Sequence, residues 1–168
     1  MILGMTPFTF FHVAISLVAI ASGLVVLLQG LLASRRLPGW TAIFLITTVA
    51  TSVTGFFFPF VRFMPSHGVG IVSLLVLAVT IPALYKYRLA GAWRWIYVVG
   101  AVLALYLNVF VLVVQLFLKV PVLKAIAPTQ ADPPFAIAQG VVLLIFIVLG
   151  ARAVRSYHIH PTAEPGRA

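Results

Sequence analysis

The chain has 168 residues, of which 63% are hydrophobic and only 8% are charged, and its formal net charge is +9. A soluble domain carries about 25% charged residues because it needs a water-facing shell, so this composition excludes a soluble globular protein. The chain contains no cysteine, which excludes disulfides, thiolate metal sites and cysteine nucleophiles.

Five apolar stretches without an acidic residue follow one another along the chain, at residues 8–32, 40–60, 67–87, 93–118 and 135–154. Each is long enough to cross a hydrocarbon core of about 30 Å, which takes about 20 helical residues. Backbone groups in lipid must pair within the structure, and the stretches do not alternate as barrel strands do. The sequence therefore predicts an all-α integral membrane protein, a bundle of five transmembrane helices.

The connections and helix ends carry further signals. Pro82 predicts a kink in the third span. The longest connection, residues 119–134, contains a short stretch at residues 122–127 that we expect to be helical. Asp132 followed by Pro133 predicts an N-cap and first helical position for the fifth span. With no internal repeat or linker, we expect residues 1–155 to form one domain and residues 156–168 a flexible tail.

Lysine and arginine are divided unevenly between the two ends of the predicted bundle. Arg62, Lys119 and Lys124 fall at one end. The other eight fall at the opposite end: Arg35, Arg36, Lys86, Arg88, Arg94, Arg152, Arg155 and Arg167. Basic loops stay in the cytoplasm, so we expect an N-terminus outside, a cytoplasmic C-terminus and a bacterial inner-membrane location.

The interfacial residues indicate lipid as a partner. Aromatic residues with a polar edge gather at the predicted cytoplasmic interface, where such rings settle: Trp40, Tyr85, Tyr87, Trp93, Trp95 and Tyr157. No basic run is long enough for a nucleic-acid arm, so the positive charge is interpreted as contact with anionic headgroups. The sequence predicts the lipid bilayer, and not nucleic acid, as a partner.

Small residues four positions apart predict where helices meet, because close backbone approach replaces the hydrophobic drive in lipid. Four pairs have this spacing: Ala19 with Gly23, Thr51 with Gly55, Gly100 with Ala104, and Ala136 with Gly140. Such pairs are common in membrane bundles, so they predict compact packing and no particular activity.

Polar residues inside spans are the candidate site residues. Because successive spans alternate in direction, His12, His67, Gln115 and Gln139 should all lie at the outer end, in one layer. Asn108 shares a helix face with Gln115 and should lie about 10 Å deeper. We predict an outer-end pocket lined by the four, with Asn108 at its floor. The competing interpretation is that each residue only makes a hydrogen bond between helices.

Two functions are compatible with this pattern. The first is an accessory, assembly or structural subunit of a larger membrane complex or homo-oligomer. The alternative is a cofactor site, in which His12 and His67 ligate a b-type haem or contact a quinone. No span contains a carboxylate, which disfavours proton-coupled transport. A hydrolase is disfavoured as well, since no acidic residue is placed to orient a histidine base, and the interpretation leans away from an enzyme.

Three segments are similar to a group of small, uncharacterised bacterial inner-membrane proteins. They are TSVTGFFFPF at residues 51–60, PSHGVGI at residues 65–71 and LNVFVLVVQ at residues 107–115. The resemblance implies a multi-span inner-membrane protein, and it assigns no activity and no role to any residue.

Overall fold

A computed structural model describes residues 6–58 and 65–158, and this part of the chain is helical with no strand. Helix α1, Pro7–Val25, continues as a π-helical segment, Val26–Leu31, and α2, Pro38–Thr54, continues as a 3₁₀ turn, Gly55–Phe57. The remaining helices are α3 at Pro65–Tyr85, α4 at Trp93–Lys119, α5 at Pro121–Ile126 and α6 at Pro133–Ser156.

Five helices of the described chain, α1, α2, α3, α4 and α6, are long and apolar enough to span a membrane. This confirms the predicted helical bundle, and each span lies close to its predicted limits. The short helix α5 confirms the helical segment predicted in the longest connection. Pro82 lies inside α3, where the sequence predicts a kink.

Helix starts follow local chemistry. Pro7, Pro38, Pro121 and Pro133 occupy first-turn positions, where a missing N–H costs nothing. The Thr6 hydroxyl accepts a hydrogen bond from the Thr9 amide at 3.2 Å and so caps α1.

The structure confirms the predicted N-cap and first helical positions of α6, Asp132 and Pro133. Asp132 occupies the N-cap position of α6, but its side chain makes no capping bond there. Its Oδ2 instead accepts from the Thr129 amide at 2.6 Å and the Thr129 hydroxyl at 2.8 Å. The carboxylate therefore closes the preceding turn, because those donors precede it in the loop.

The helices are arranged around α4. Helices α1, α2, α3 and α4 each pack on the next, and α4 returns to α1, so the four close into a ring. Helix α6 lies outside this ring, against α4 and the π-helical end of α1. As a result α4 is the most buried span and α6 the least. The buried share of the apolar segment is 33% in α4 and 11% in α6.

Glycines inside the ring mark the closest helix contacts. A Cβ on Gly23 would lie 2.6 Å from Leu105 Cδ1 and 2.8 Å from Phe44 Cε2, which is closer than atoms pack. A Cβ on Gly100 would overlap the side chain of Thr80. These contacts confirm that the small residues of α1 and α4 lie at helix interfaces.

Hydrogen bonds between side chains also join helices. Ser52 of α2 donates to the Ser73 hydroxyl of α3 at 2.9 Å, with both residues buried. This bond fixes the register of the C-terminal end of α2 against the middle of α3.

Cysteines placed at this contact should form a disulfide, because two side-chain oxygens 2.9 Å apart bring the Cβ atoms close to disulfide range. We expect Ser52→Cys/Ser73→Cys to lose most of its maleimide labelling after mild oxidation, and to regain it on reduction. The natural chain has no cysteine to interfere. The control pair Ser52→Cys/Val79→Cys, with the second cysteine at an exposed position, should stay labelled. Equal labelling of the two pairs after oxidation would contradict this helix register.

Candidate functional site

His12 lies one turn and a half into α1 and faces the end of α2. Its Nδ1 is 2.8 Å from the Thr54 hydroxyl, which itself donates to the Ala50 carbonyl at 2.7 Å. The ring packs edge-on against Phe58 at a centroid distance of 5.0 Å. His12 therefore joins α1 to α2, as the hydrogen-bonding interpretation predicts.

Residues below His12 continue this contact. Ser16 donates to the His12 carbonyl at 2.7 Å and its hydroxyl is 3.4 Å from that of Thr51. Ala19 is fully buried, and Gly23 packs against α2 and α4. These four residues of α1 therefore share one face, which lies against the bundle interior.

His67 lies in the first turn of α3 and is buried, with 4% of its surface exposed. Its ring is 6.0 Å from that of Phe56, in the 3₁₀ turn after α2. The two imidazoles thus contact different aromatic residues, Phe58 and Phe56, of the same segment.

The carboxamides have separate surroundings. Asn108 donates from Nδ2 to the Thr48 hydroxyl at 3.2 Å, which links α4 to α2 across the ring. Gln139 of α6 donates from Nε2 to the Phe110 carbonyl of α4 at 3.1 Å. Its buried Oε1 has no partner in the described part of the chain. Gln115 is exposed on α4.

The five predicted site residues therefore occupy the positions along their helices that the sequence indicates, but they point to different neighbours. Three of them bond to another helix, and none lines either of the two cavities described below. The b-type haem or quinone alternative stays a prediction. A Soret band that disappears in His12→Ala would be its signature.

A cavity of about 510 Å³ lies at the other end of the bundle, which we call the basic end. The α1–α2 connection, the end of α3, the start of α4 and the C-terminal segment form its walls. Six polar residues are among those that line it, and the two arginines are exposed residues: Arg36, Arg88, Thr41, Tyr85, Tyr97 and Tyr157. The sequence predicts an interfacial position for Tyr85, Tyr157 and the two arginines, and it gives no indication of the cavity.

The C-terminal end of α6 is anchored beside this cavity. Arg94 donates from Nη1 to the Tyr157 carbonyl at 2.8 Å. Ser34 donates to the His158 carbonyl at 2.7 Å and accepts from the His158 amide at 2.9 Å. Tyr157 and His158, the first residues after α6, are therefore held by two other elements, while residues 159–168 of the predicted flexible tail lie outside the described residues.

Helix α6 has two different sides, one packed against the ring and one exposed. Phe135, Gln139, Phe146 and Ala153 are its buried residues and mark the seam toward the ring. On the other side, Ala136 and Gly140 are exposed, and a Cβ on Gly140 would meet nothing within 4 Å. This second small-residue pair therefore packs on no other described helix. We call the exposed surface formed by Ala136, Ile137, Gly140, Leu144, Ile147 and Ala151 the open face of α6; its last two residues also border the groove between α6 and α4.

The second cavity, about 520 Å³, is an apolar groove between α4 and α6. Val102, Phe146 and Gly150 lie in its wall, and Arg155 lies at its basic end. Its lining offers hydrocarbon contact and few polar groups, which suits a lipid chain more than a polar substrate.

Comparisons with known proteins give this chain no relative from which a role could be carried over: no family model, no curated protein and no solved structure matches it.

Proposed function

We propose that this protein is an accessory subunit of a larger assembly in a bacterial inner membrane, and that it joins its partner through the open face of α6. The observation that supports this is the contrast between its glycines. Gly23, Gly70 and Gly100 pack closely on neighbouring segments of the same chain, whereas a Cβ on Gly140 would meet no described atom within 4 Å. In lipid, small residues allow two helix backbones to come close together. Because Ala136 and Gly140 contact no described helix of this chain, we infer that a helix of another chain packs against them.

Lipid alone accounts less well for this surface. The exposed side of α3 carries bulky residues, Val72, Leu75 and Val79, which fill the space between acyl chains. The open face of α6 instead combines Ala136, Gly140 and Ala151 with larger residues between them. That alternation of small and large side chains forms the knobs and holes of helix pairs. The partner is therefore a transmembrane helix of another protein.

The proposal is tested by purification in a mild detergent that keeps membrane complexes together. We expect the 18.2 kDa chain to elute with a second membrane protein in a fixed ratio. Elution as a homo-oligomer would place a second copy of this chain on the open face. Elution as a monomer after gentle chemical cross-linking in the membrane would contradict the proposal.

We propose further that the basic end faces the cytoplasm, since it carries the arginines of two connections and of the α6 terminus. Fusion of a cytoplasm-active fluorescent reporter to the C-terminus should give bright cells, and alkaline phosphatase at the same site should be inactive. The reverse pair of results would show that the orientation is inverted.

A further inference from the structure

The basic-end cavity has two positively charged residues in its lining that the described chain does not neutralise. Arg36 and Arg88, from two different connections, both line it. Of the two acidic side chains in the sequence, Asp132 lies at the opposite end and bonds to Thr129, and Glu164 lies outside the described residues. No carboxylate within the described ranges pairs with either guanidinium. Two guanidiniums at one cavity are the common arrangement for binding an oxyanion.

The other polar groups of the cavity are neutral hydroxyls, and because those of Thr41 and Tyr97 hydrogen-bond to each other, that pair keeps one donor for an anion. Thr41, Tyr97 and Tyr157 are buried there. Burial raises the pKa of the Tyr157 phenol above its ordinary value, and the charge of Arg36 opposes this only in part. The phenol therefore stays protonated near neutral pH and keeps its donor. Pro38, the first residue of α2, also lies at the cavity, which places the positive end of that helix dipole on the same side.

The cavity wall beside Arg88 has an unusual backbone. Arg88 and Leu89 have φ angles of 48° and 62°, in the left-handed region that side chains other than glycine seldom adopt. The Leu89 amide bonds to the Ala83 carbonyl at 3.0 Å, and Tyr87 stacks on Trp93 at 3.8 Å, so neighbouring contacts hold this turn. Such conformations cluster at ligand-binding positions, and this one puts a guanidinium and an apolar side chain on the same wall.

We propose that the basic-end cavity binds a phosphate group, with Arg36 and Arg88 as its charged ligands and the buried hydroxyls as additional donors. The exposed aromatic residues at this end, Trp40, Trp95 and Tyr85, are of the kind that lie at the headgroup region of a membrane. A cavity at the same end of the bundle is therefore at the right depth for a lipid headgroup. Its leucine walls fit the glycerol and first methylenes of a lipid. A free phosphate compound presents the same oxyanion, so the phosphate is the chemistry that both sources share. This site is separate from the open face of α6 and goes beyond the proposed function.

Two probes separate the sources, phosphatidylglycerol in a neutral detergent and inorganic phosphate. Lipid adducts are read by native mass spectrometry, and phosphate by its shift of the thermal midpoint. We expect Arg36→Gln/Arg88→Gln to weaken binding of the effective probe at least tenfold. The control Arg35→Gln/Arg152→Gln removes the same charge from exposed arginines at the same end that do not line the cavity, and should bind as the natural chain does.

Retention of phosphatidylglycerol without competition by phosphate would assign the site to a lipid headgroup. Competition by phosphate in the millimolar range would assign it to a soluble phosphate compound. Equal weakening in the two double variants would overturn the proposal, because it would mean attraction to general surface charge. Failure of the natural chain to bind either probe would overturn it as well. Each variant must also elute from size-exclusion chromatography at the volume of the natural chain, so that a folding defect is not mistaken for a loss of binding.

Discussion

Replacing Gly100 by alanine is expected to destabilise the bundle strongly although only one methyl group is added. The new Cβ would overlap the Thr80 side chain, whose Cβ and Cγ2 lie 3.1 and 3.3 Å from that position. Thr80 cannot turn away freely, because it is buried and its hydroxyl donates to the Val76 carbonyl at 2.7 Å. Helices α3 and α4 must therefore separate. Overpacking of this kind costs about 1–3 kcal/mol, and Gly100→Leu should cost more.

The measurement is the midpoint of thermal unfolding in detergent, which is monitored as the loss of the monodisperse size-exclusion peak on heating. For a chain of this size about 2–4 °C is lost per kcal/mol, so we expect a decrease of about 5 °C. Thr80→Ala/Gly100→Ala should recover part of the loss, since it removes the Thr80 atoms that project toward α4. Gly140→Ala is the matched control, and it should not lower the midpoint because nothing lies within 4 Å. Equal midpoints for Gly100→Ala and the natural chain would contradict the α3–α4 packing.

Replacing Gly140 by isoleucine is expected to separate the protein from the proposed partner helix while leaving the bundle folded. The substitution adds a branched side chain to the open face of α6, where no atom of this chain is near. It would hold a partner helix away from the α6 backbone and remove the close contact that small residues permit. We expect at least tenfold less co-purified partner, which corresponds to about 1.4 kcal/mol or more.

Two controls accompany this variant. Gly140→Ala keeps a small residue and should retain the partner, and Leu75→Ile changes an exposed apolar residue on α3 without touching α6. The thermal midpoint of Gly140→Ile should match that of the natural chain. Undiminished co-purification in Gly140→Ile would mean that the partner binds elsewhere.

The fold followed from the sequence more completely than the site did. Long apolar runs interrupted by Pro38, Pro121 and Pro133 define the helices, because lipid leaves the backbone no other way to pair. The positions of His12 and Gln139 along their helices follow from the limits of the apolar stretches alone. Their surroundings do not, because a side chain's neighbour depends on the rotation of each helix about its axis. Nearly continuous apolar sequence carries little information about that rotation.

The basic-end cavity shows the same limit. Arg36 and Arg88 were recognised as interfacial residues of separate connections, and their side followed from the spacing of the spans. Their approach to one cavity depends on the left-handed turn at Arg88 and Leu89 and on the anchoring of Tyr157. Neither feature has a local signal, since both residues at the turn are of types that rarely adopt that conformation. Asp132 is the opposite case. Its residue type and position predict a capping bond to α6, but its carboxylate bonds to Thr129 in the preceding loop instead.

The open face of α6 is tested most directly by photo-cross-linking in the membrane, with a photoreactive residue placed in turn at Ile137, Gly140, Leu144 and Ile147. The comparison positions are Val72, Leu75 and Val79 on the exposed side of α3. An accessory subunit that docks through α6 should give one discrete protein adduct from the α6 positions and only lipid adducts from α3. Lipid adducts alone from both helices would contradict the account, because the open face would then border the bilayer as α3 does.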